Sequence, residues 1–225
     1  MNVINKAYVI LYKIIRKFAC GIWGFGLLNA RFFEPRHWSN DQLRQVCDMF
    51  SGDVINVSGW KDEDREGKKY RDYFSRKSSY TVTNWGNGER GGLEEGDVQL
   101  DLEGALPEDL VGKFDVVFNH TTLEHIYDIR TAFRNICSLS RDAVVLVIPF
   151  AQAVHYNGSF KDYWRPTPFA VQRLFGENGF ILVGVSSNDR QPFGATYAMY
   201  IAVKDPGKYA DKLREHRIGL RYDLV

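Results

Sequence analysis

Cysteine is scarce in this chain, and no long apolar run crosses it. Only three cysteines occur among the 225 residues, at Cys20, Cys47 and Cys137. They form no Cys-x-x-Cys pair and no metal-ligand spacing with histidine, so we expect no bound metal, a reducing compartment and thiols that act as small core residues. The apolar stretch over residues 18–30 is interrupted by three glycines and is too short to span a bilayer.

Net charge of one sign is also missing. Lys and Arg number 29 against 28 Asp and Glu, which gives a formal net charge of +1. This balance excludes a basic coat for nucleic acid and an acidic solvating chain, and we expect no nucleic-acid partner. Hydrophobic residues at 44% and charged residues at 25% are typical of a globular protein. Aromatic residues are plentiful at 14%, which indicates bulky core positions, a surface for stacking on rings, or both.

Residues 4–22 have the pattern of a basic amphipathic helix. The apolar stripe consists of Ile4, Tyr8, Leu11, Ile15, Phe18 and Ile22, and the opposite side carries Lys6, Lys13, Arg16 and Lys17. One interpretation is peripheral attachment to an anionic membrane, which would place a cytoplasmic protein on the inner face of the cytoplasmic membrane. The other is a helix that packs its apolar stripe on the domain and leaves its lysines in water.

The rest of the chain predicts one α/β domain. We divide the chain into an N-terminal amphipathic segment over residues 1–35, a domain over 36–204 and a C-terminal helical tail over 205–225. Predicted strands cover 54–57, 80–83, 98–100, 114–118, 143–148, 180–185 and 195–203, and predicted helices begin at Ser39, Asp128 and Thr167. Alternation of strands and helices favours a doubly wound, mostly parallel, seven-stranded sheet.

In such a sheet, ligands bind beyond the carboxyl ends of the strands, near the point where the strand order reverses. The candidate positions are therefore those that follow Val57, Thr83, Leu100 and Phe118. The loop after Ile148 is expected on the same edge.

The passage with the strongest functional signal is FDVVFNHTTLEHIYD, over residues 114–128. It resembles the fourth-strand region of class I S-adenosylmethionine-dependent methyltransferases, in which a strand F-D-x-V precedes a polar turn and L-E-H. His155, the segment DYWRPT over 162–167 and the pair Gly179-Phe180 resemble methyltransferases of bacterial surface-polysaccharide clusters. The resemblance covers about residues 50–203. It implies a Rossmann-like fold and methyl transfer from S-adenosylmethionine to a hydroxyl of a sugar or lipid-linked glycan, in the biosynthesis of O-antigen or lipopolysaccharide.

The resemblance also implies roles for particular residues. The positions expected to bind the cofactor are Ser58, Gly59, Asn84, Asp101, Leu102 and Asn119. The positions expected to bind the substrate are His120, Asp162, Tyr163, Trp164 and Arg165. His125 or His155 is expected to take the hydroxyl proton, since imidazole titrates near neutral pH.

Four residues in the expected cofactor region depart from the family pattern. Asn56 stands where the family has an acid, Ser58 and Trp60 replace two glycines, and Asn84 replaces the acid that grips the ribose. Asp101 and the following leucine match the position that contacts adenine. These departures favour an alternative function, in which the fold acts as a scaffold or binding module without a cofactor. A different transferase, with a nucleotide-sugar donor, is the third hypothesis.

Three local alternatives stay open at the level of sequence. Glu124 and His125 either contribute to a site or stabilise the helix that follows. The loop from His155 to Arg165 is either a substrate surface or a structural corner fixed by pairing of Arg165 with Asp162. The acidic residues at 62, 63, 64 and 66 either bind a divalent cation or a basic partner, or form a solvated loop with the interleaved lysines and arginines.

Overall fold

The structure is a computed structural model, and it describes residues 10–15, 18, 34–86, 92–189, 196–220 and 224. Strands and helices alternate along the described chain. The strands are β1 Gly52–Val57, β2 Lys77–Asn84, β3 Val98–Gln99, β4 Phe114–His120, β5 Ser140–Ala151, β6 Ile181–Ser187 and β7 Thr196–Val203. The α-helices are α1 Pro35–Val46, α2 Ile129–Leu139, α3 Pro168–Glu177 and α4 Pro206–Glu215. Residues 10–15 are also helical.

The strands form one sheet in the order β3-β2-β1-β4-β5-β7-β6. All neighbouring pairs from β3 to β5 are parallel, whereas β7 runs antiparallel to both β5 and β6. The predicted doubly wound, mostly parallel, seven-stranded sheet is therefore confirmed. The strand order reverses at β1, because β2 lies on one side of it and β4 on the other.

Helices cover both faces of the sheet and explain the continuous apolar strands. Along β5, Val144, Leu146 and Ile148 face the layer formed by α2 and α3. The alternate residues Val145 and Val147 face the layer that includes α1 and α4. A strand buried on both faces needs apolar side chains at every position, which is why the run in β5 lacks the alternation of a half-exposed strand.

Two predicted helix starts are confirmed, and a third is wrong. The side chains of Asp128 and Thr167 each accept a backbone hydrogen bond from the first turn of α2 and α3. Ser39, however, is buried inside α1, which begins at Pro35. The Ser39 hydroxyl lies 2.9 Å from Nε2 of His120, so it serves a contact with β4 and not the end of a helix.

The segments outside the sheet differ in how they pack. In α4 the buried Tyr209 hydroxyl donates a hydrogen bond to Asp142, at 2.6 Å. By contrast, the side chains of Leu11, Ile15 and Phe18 are 54%, 58% and 71% exposed. These three residues of the predicted apolar stripe are therefore exposed.

Other N-terminal predictions fall outside the described residues. These positions are Ile4, Lys6, Tyr8, Arg16, Lys17, Cys20 and Ile22. Cys47 and Cys137 are free thiols buried in the core, as expected. None of the helices within the described ranges is both long enough and apolar enough to cross a bilayer.

Candidate active site

A cavity of about 460 Å³ opens at the carboxyl ends of β1 to β4, beside the point where the strand order reverses. Its volume lies in the range of roughly 300–1,000 Å³ that is usual for sites of small organic ligands. The loop after β5 forms one wall. Of the residues singled out from the sequence, the lining includes Ser58, Gly59, Asn84, Asp101, Leu102, His120, His125 and Tyr163. The lining does not include Asn119, His155, Asp162, Trp164 or Arg165.

The turn after β1 has an uncommon backbone. Ser58 and Trp60 have φ values of 55° and 48°, in the left-handed region that residues other than glycine rarely adopt. The backbone N–H groups of Ser58 and Gly59 donate hydrogen bonds to Thr83, which hold the turn against β2. A Cβ atom on Gly59 would lie 2.5 Å from Nδ2 of Asn56. Glycine is therefore required here by its packing on Asn56.

The acidic loop that follows is solvated at Glu63, Arg65 and Lys68, but its two aspartates are buried and already bonded within the protein. Asp62 and Asp64 are 2% and 0% exposed. Asp62 accepts hydrogen bonds from Nδ2 of Asn56, at 2.8 Å, and from the Tyr80 hydroxyl, at 2.7 Å. Asp64 accepts one from the Tyr73 hydroxyl at 2.6 Å. Burial alone would raise the pKa of Asp64, but this bond and two backbone hydrogen bonds hold it below its usual value. The two carboxylates therefore brace the loop.

Asn84 bridges the end of β2 and the turn after β1. Its Oδ1 accepts a hydrogen bond from the backbone N–H of Trp60 at 2.7 Å. Its Nδ2 donates to the backbone carbonyl of Trp60, at 3.2 Å, and to the carboxylate of Asp97, at 2.7 Å. Both N–H groups of the amide are thus used inside the protein, and the side chain keeps only acceptor capacity for a ligand. The cofactor role predicted for Asn84 is reduced accordingly.

Asp101 and Leu102 present one polar and one apolar group at the end of β3. Asp101 is exposed, and its Oδ1 accepts a hydrogen bond from the backbone N–H of Glu103 at 2.9 Å. Its second carboxylate oxygen has no hydrogen bond to any residue in the described part of the chain. Leu102 is 4% exposed and joins the hydrophobic core beneath the cavity. A ligand in the cavity can therefore meet a carboxylate and an apolar surface side by side.

The two residues at the end of β4 are held by the protein itself. Asn119 is fully buried, and its Nδ2 donates to the backbone carbonyl of Val57 at 2.8 Å. It ties β4 to β1, so the direct cofactor contact predicted for it is not supported. The ring of His120 lines the cavity, but its nitrogens lie 2.9 Å from the Ser39 hydroxyl and 3.2 Å from the Thr121 hydroxyl. Burial lowers the pKa of His120 well below its usual value, which favours the neutral form of the ring.

His125 is the histidine with a nitrogen available at the cavity wall. Its Nδ1 lies 2.6 Å from the backbone carbonyl of Lys161, and because a carbonyl only accepts, Nδ1 carries the proton. Nε2 then keeps a lone pair. Burial also lowers the pKa of His125. The His155 ring lies behind it with a centroid separation of 4.9 Å, and its Nδ1 is 3.1 Å from Oδ2 of Asp162.

Glu124 is buried beside these two histidines. Its side chain is 1% exposed, and burial raises its pKa to about 8. Asp128, not Glu124, caps α2. The backbone carbonyl of Glu124 instead accepts a hydrogen bond from the N–H of Tyr163 at 2.7 Å. The turn after β4 is thereby joined to the loop after β5.

That loop is a structural corner with one face on the cavity. Arg165 donates two hydrogen bonds of 2.6 Å to the two oxygens of Asp162, which is 1% exposed. Burial alone would raise the pKa of Asp162, but the Arg165 hydrogen bonds help lower it to about 2. Nε1 of Trp164 donates to the backbone carbonyl of Tyr127, so the indole braces the corner as well. Among the predicted substrate residues at positions 162–165, only Tyr163 lines the cavity. Its ring centroid lies 5.4 Å from that of Tyr127.

Several lining residues gave no functional signal in the sequence. Arg36 of α1 donates hydrogen bonds to the hydroxyls of Tyr70 and Thr121 at the cavity wall. It precedes the first strand, and no local pattern links it to β4. Trp60 and Trp85 also line the cavity. The high aromatic content was the only signal for Trp85, whereas Trp60 was noted only as a departure from the glycine turn.

Comparison with solved structures identifies the fold, whereas comparison at the level of sequence finds no match. No protein-family model and no curated protein matches the chain. The structure is similar to a 1,6-didemethyltoxoflavin-N1-methyltransferase from Burkholderia thailandensis with bound S-adenosylhomocysteine, at 14% identity over 91% of each chain and a TM-score of 0.53. It is also similar to magnesium protoporphyrin IX methyltransferase from Synechocystis PCC 6803 with bound S-adenosylmethionine, at 13% identity over 86% of this chain and 97% of that one, with a TM-score of 0.51.

A third neighbour is an S-adenosylmethionine-dependent methyltransferase from Mesorhizobium loti. It is 12% identical over 75% of this chain and 97% of that one, with a TM-score of 0.52. The three proteins share an architecture with this chain, and the Rossmann-like fold implied by the resemblance over about residues 50–203 is confirmed. The chain has the fold of the class I S-adenosylmethionine-dependent methyltransferases.

Proposed function

We propose that this protein transfers a methyl group from S-adenosylmethionine to a hydroxyl of a sugar or lipid-linked glycan, in the assembly of bacterial surface polysaccharide. The observation that carries the proposal is the cavity at the carboxyl ends of β1 to β4. This cavity lies at the edge of the sheet where ligands bind in such folds, and structural neighbours of the protein hold S-adenosylmethionine or S-adenosylhomocysteine. The class of acceptor follows from the resemblance of residues 155–180 to polysaccharide-cluster enzymes, which is an argument by analogy.

The cavity fits the cofactor with one exception. Its volume of about 460 Å³ suits a nucleoside-sized ligand. The carboxylate of Asp101 has an oxygen free to accept a hydrogen bond, and Leu102 offers an apolar surface for a base. The exception is Asn84, whose N–H groups are both committed to the protein. Its Oδ1 can still accept a hydrogen bond from a hydroxyl.

When bound, the cofactor supplies an electrophilic methyl group, and the protein has to orient and deprotonate the acceptor. We propose that Nε2 of His125 is the base that accepts the hydroxyl proton of the acceptor. Nδ1 is held by the Lys161 carbonyl, and the ring lies on the cavity wall. His155 lies behind His125, off the lining, and is the alternative base. Alignment of the two reactants in one cavity supplies much of the acceleration in a transfer of this kind.

Aromatic side chains at the cavity provide a surface for a sugar ring. Tyr127 and Tyr163 are 69% and 46% exposed and lie edge to face with each other. Trp60 and Trp85 lie on the same lining. Sugar rings present apolar C–H faces that stack on aromatic rings, while Lys161 at the same wall can bind an acidic or hydroxyl group.

We also propose that residues 4–22 attach the protein to an anionic membrane surface, where lipid-linked glycans are assembled. The exposure of Leu11, Ile15 and Phe18 supports this. An apolar stripe in contact with solvent gains free energy by entering the lipid interface, and basic residues on the opposite side add attraction to anionic headgroups.

Calorimetric titration with S-adenosylmethionine and S-adenosylhomocysteine tests the proposal directly. We expect one molecule bound per chain. Asp101→Ala should weaken binding by roughly 5–150-fold, or about 1–3 kcal/mol, because it removes a hydrogen bond from a charged acceptor. The matched control is Asp109→Ala, at an exposed aspartate on the 3₁₀ turn after β3 that is not on the cavity lining. Equal affinity in wild type and Asp101→Ala would remove Asp101 from the site.

The second candidate function is a binding module without a cofactor. The specific observation in its favour is Asn84, whose amide braces the turn after β1 where the family's acid would hold the ribose. If the wild-type protein binds neither S-adenosylmethionine nor S-adenosylhomocysteine, this second function replaces the first.

A further inference from the structure

Three potential ligands for a metal ion meet behind the cavity wall. Glu124 and His125 lie on the 3₁₀ turn Leu123–His125 after β4, and His155 lies in the loop after β5. One ligand atom from each of the three residues lies within 4.8 Å of the other two. His155 follows His125 by about thirty positions in the chain, so only the fold brings it to the other two.

The hydrogen bond of His125 directs a lone pair into this cluster. Because Nδ1 donates to the Lys161 carbonyl at 2.6 Å, Nε2 is the acceptor nitrogen of the ring. Nε2 lies 3.6 Å from Oε1 of Glu124, which is too far for a hydrogen bond. This separation is close to that of two ligands on one tetrahedral ion, roughly 3.3 Å for bonds of about 2.0 Å.

His155 has two polar neighbours at its Nδ1, a carboxylate and an amide. Its Nδ1 lies 3.1 Å from Oδ2 of Asp162, and that carboxylate is itself fixed by Arg165. The amide nitrogen of Gln152 lies 3.1 Å from the same ring nitrogen. With the Gln152 amide turned so that its otherwise unpartnered Oε1 faces this nitrogen, Nδ1 carries the proton and Nε2 keeps the lone pair. A histidine whose Nδ1 faces a carboxylate or carbonyl is the usual arrangement around a metal.

Glu124 supplies an independent indication that a ligand belongs here. Its side chain is 1% exposed, and its buried Oε2 has no hydrogen-bond partner among the described residues. A buried carboxylate oxygen without a partner is unfavourable, because the oxygen has lost its water and gained nothing in return. A cation between Glu124 and the two histidines removes that penalty.

We propose that Glu124, His125 and His155 bind one divalent transition-metal ion, of which Zn²⁺ is the test case. Two imidazoles and one carboxylate form a donor set that suits such ions, whereas Mg²⁺ prefers oxygen ligands. Three protein ligands also leave coordination positions open.

The consequence for the reaction rests on the proposed function, while the binding of the ion does not. His125 lines the cavity, so an open position on the ion is within reach of an acceptor hydroxyl there. Coordination lowers the pKa of a hydroxyl, so its O–H bond breaks more readily and the proton passes to water, with no change in oxidation state. In the loaded protein the ion thus takes over the activation of the acceptor from the free Nε2 of His125.

The test is metal binding by the full chain, prepared without a histidine tag and stripped with a chelator. Zn²⁺ is titrated by calorimetry, and Co²⁺ is titrated by its visible absorption. We expect one ion per chain, with Glu124→Gln and His155→Ala each lowering affinity by more than the roughly 10–100-fold that loss of an outer partner costs. His216→Ala is the matched control, since His216 follows α4 and lies outside the cluster. Circular dichroism verifies that each variant is folded.

Either of two outcomes overturns the proposal: no stoichiometric binding by the wild type, or equal affinity in the wild type, Glu124→Gln and His155→Ala. Titration of the same preparations with S-adenosylhomocysteine separates this proposal from the proposed function. Metal binding without S-adenosylhomocysteine binding rejects the methyltransferase and retains the metal site, and the reverse result rejects the metal site alone.

Discussion

Asn84 is expected to stabilise the protein and to contribute little to ligand binding. Asn84→Ala removes three hydrogen bonds, two with the backbone of Trp60 and one with the carboxylate of Asp97. It also removes the acceptor of the partly buried Trp60 backbone N–H. At about 1 kcal/mol for each bond, with a larger share for the charged acceptor and some relief from water, the free energy of unfolding should fall by roughly 2–4 kcal/mol. For a chain of this length the melting temperature should then fall by roughly 5–15 °C.

Chemical denaturation of Asn84→Ala, with Asp101→Ala as its partner, measures this effect. Asp101→Ala should change the unfolding free energy by less than about 0.5 kcal/mol, because the residue is exposed and keeps only one local bond. At a temperature where both variants are folded, Asp101→Ala should lose more affinity for S-adenosylhomocysteine than Asn84→Ala. A stable Asn84→Ala variant that no longer binds the ligand would refute this reasoning, because Asn84 would then be a ligand residue and not a brace.

Four further outcomes are expected. His125→Ala should lower kcat by about 10²–10⁴-fold in a methyl-transfer assay, and an unchanged kcat would remove it from proton transfer. Tyr163→Ala should mainly raise KM, because stacking holds the ground and transition states alike, and a fall in kcat alone would contradict this. The hydrogen bond from Arg141 lowers the pKa of Asp115, so the pair stabilises the fold above the pH range in which carboxyl groups titrate, and this stabilisation is lost as pH falls. Arg141→Ala should therefore move the midpoint of acid unfolding, followed by circular dichroism, to higher pH. An unchanged midpoint would show that the pair does not contribute to stability. Deletion of residues 1–22 should abolish salt-sensitive flotation with anionic vesicles, whereas equal flotation would place membrane contact elsewhere.

The fold could be predicted because its signals are local. The unbroken apolar run of β5 and the caps Asp128 and Thr167 each determine a strand or helix within a few residues of chain. The start of α1 was missed because Ser39 has the residue type of a helix cap. Its hydroxyl is used instead for His120, a contact across the fold that no local pattern contains.

The location of the site could be predicted from the sequence, but the role of each side chain in it could not. Parallel strands bring their carboxyl ends to one edge, so the end of each strand pointed to the cavity. What each side chain does there depends on its partners. Asn119 and Asp162 have the polarity of ligand residues, yet they bond to Val57 and Arg165 and lie off the lining. The cluster of Glu124 with two histidines was missed for the same reason, because His155 is remote in sequence.

The left-handed residues after β1 have a thermodynamic consequence for any ligand of the cavity. Ser58, Trp60, Asp62 and Arg65 all adopt positive φ, and the buried carboxylates and Asn84 hold this conformation in the absence of a ligand. The segment has therefore already lost its conformational entropy when the protein folds. A ligand that contacts this segment therefore does not have to order it, and binding loses little free energy to the ordering of backbone, unlike binding that must close a mobile loop. Amide hydrogen exchange at Gly59 and Trp60 should accordingly be slow in the free protein, since both N–H groups are already bonded.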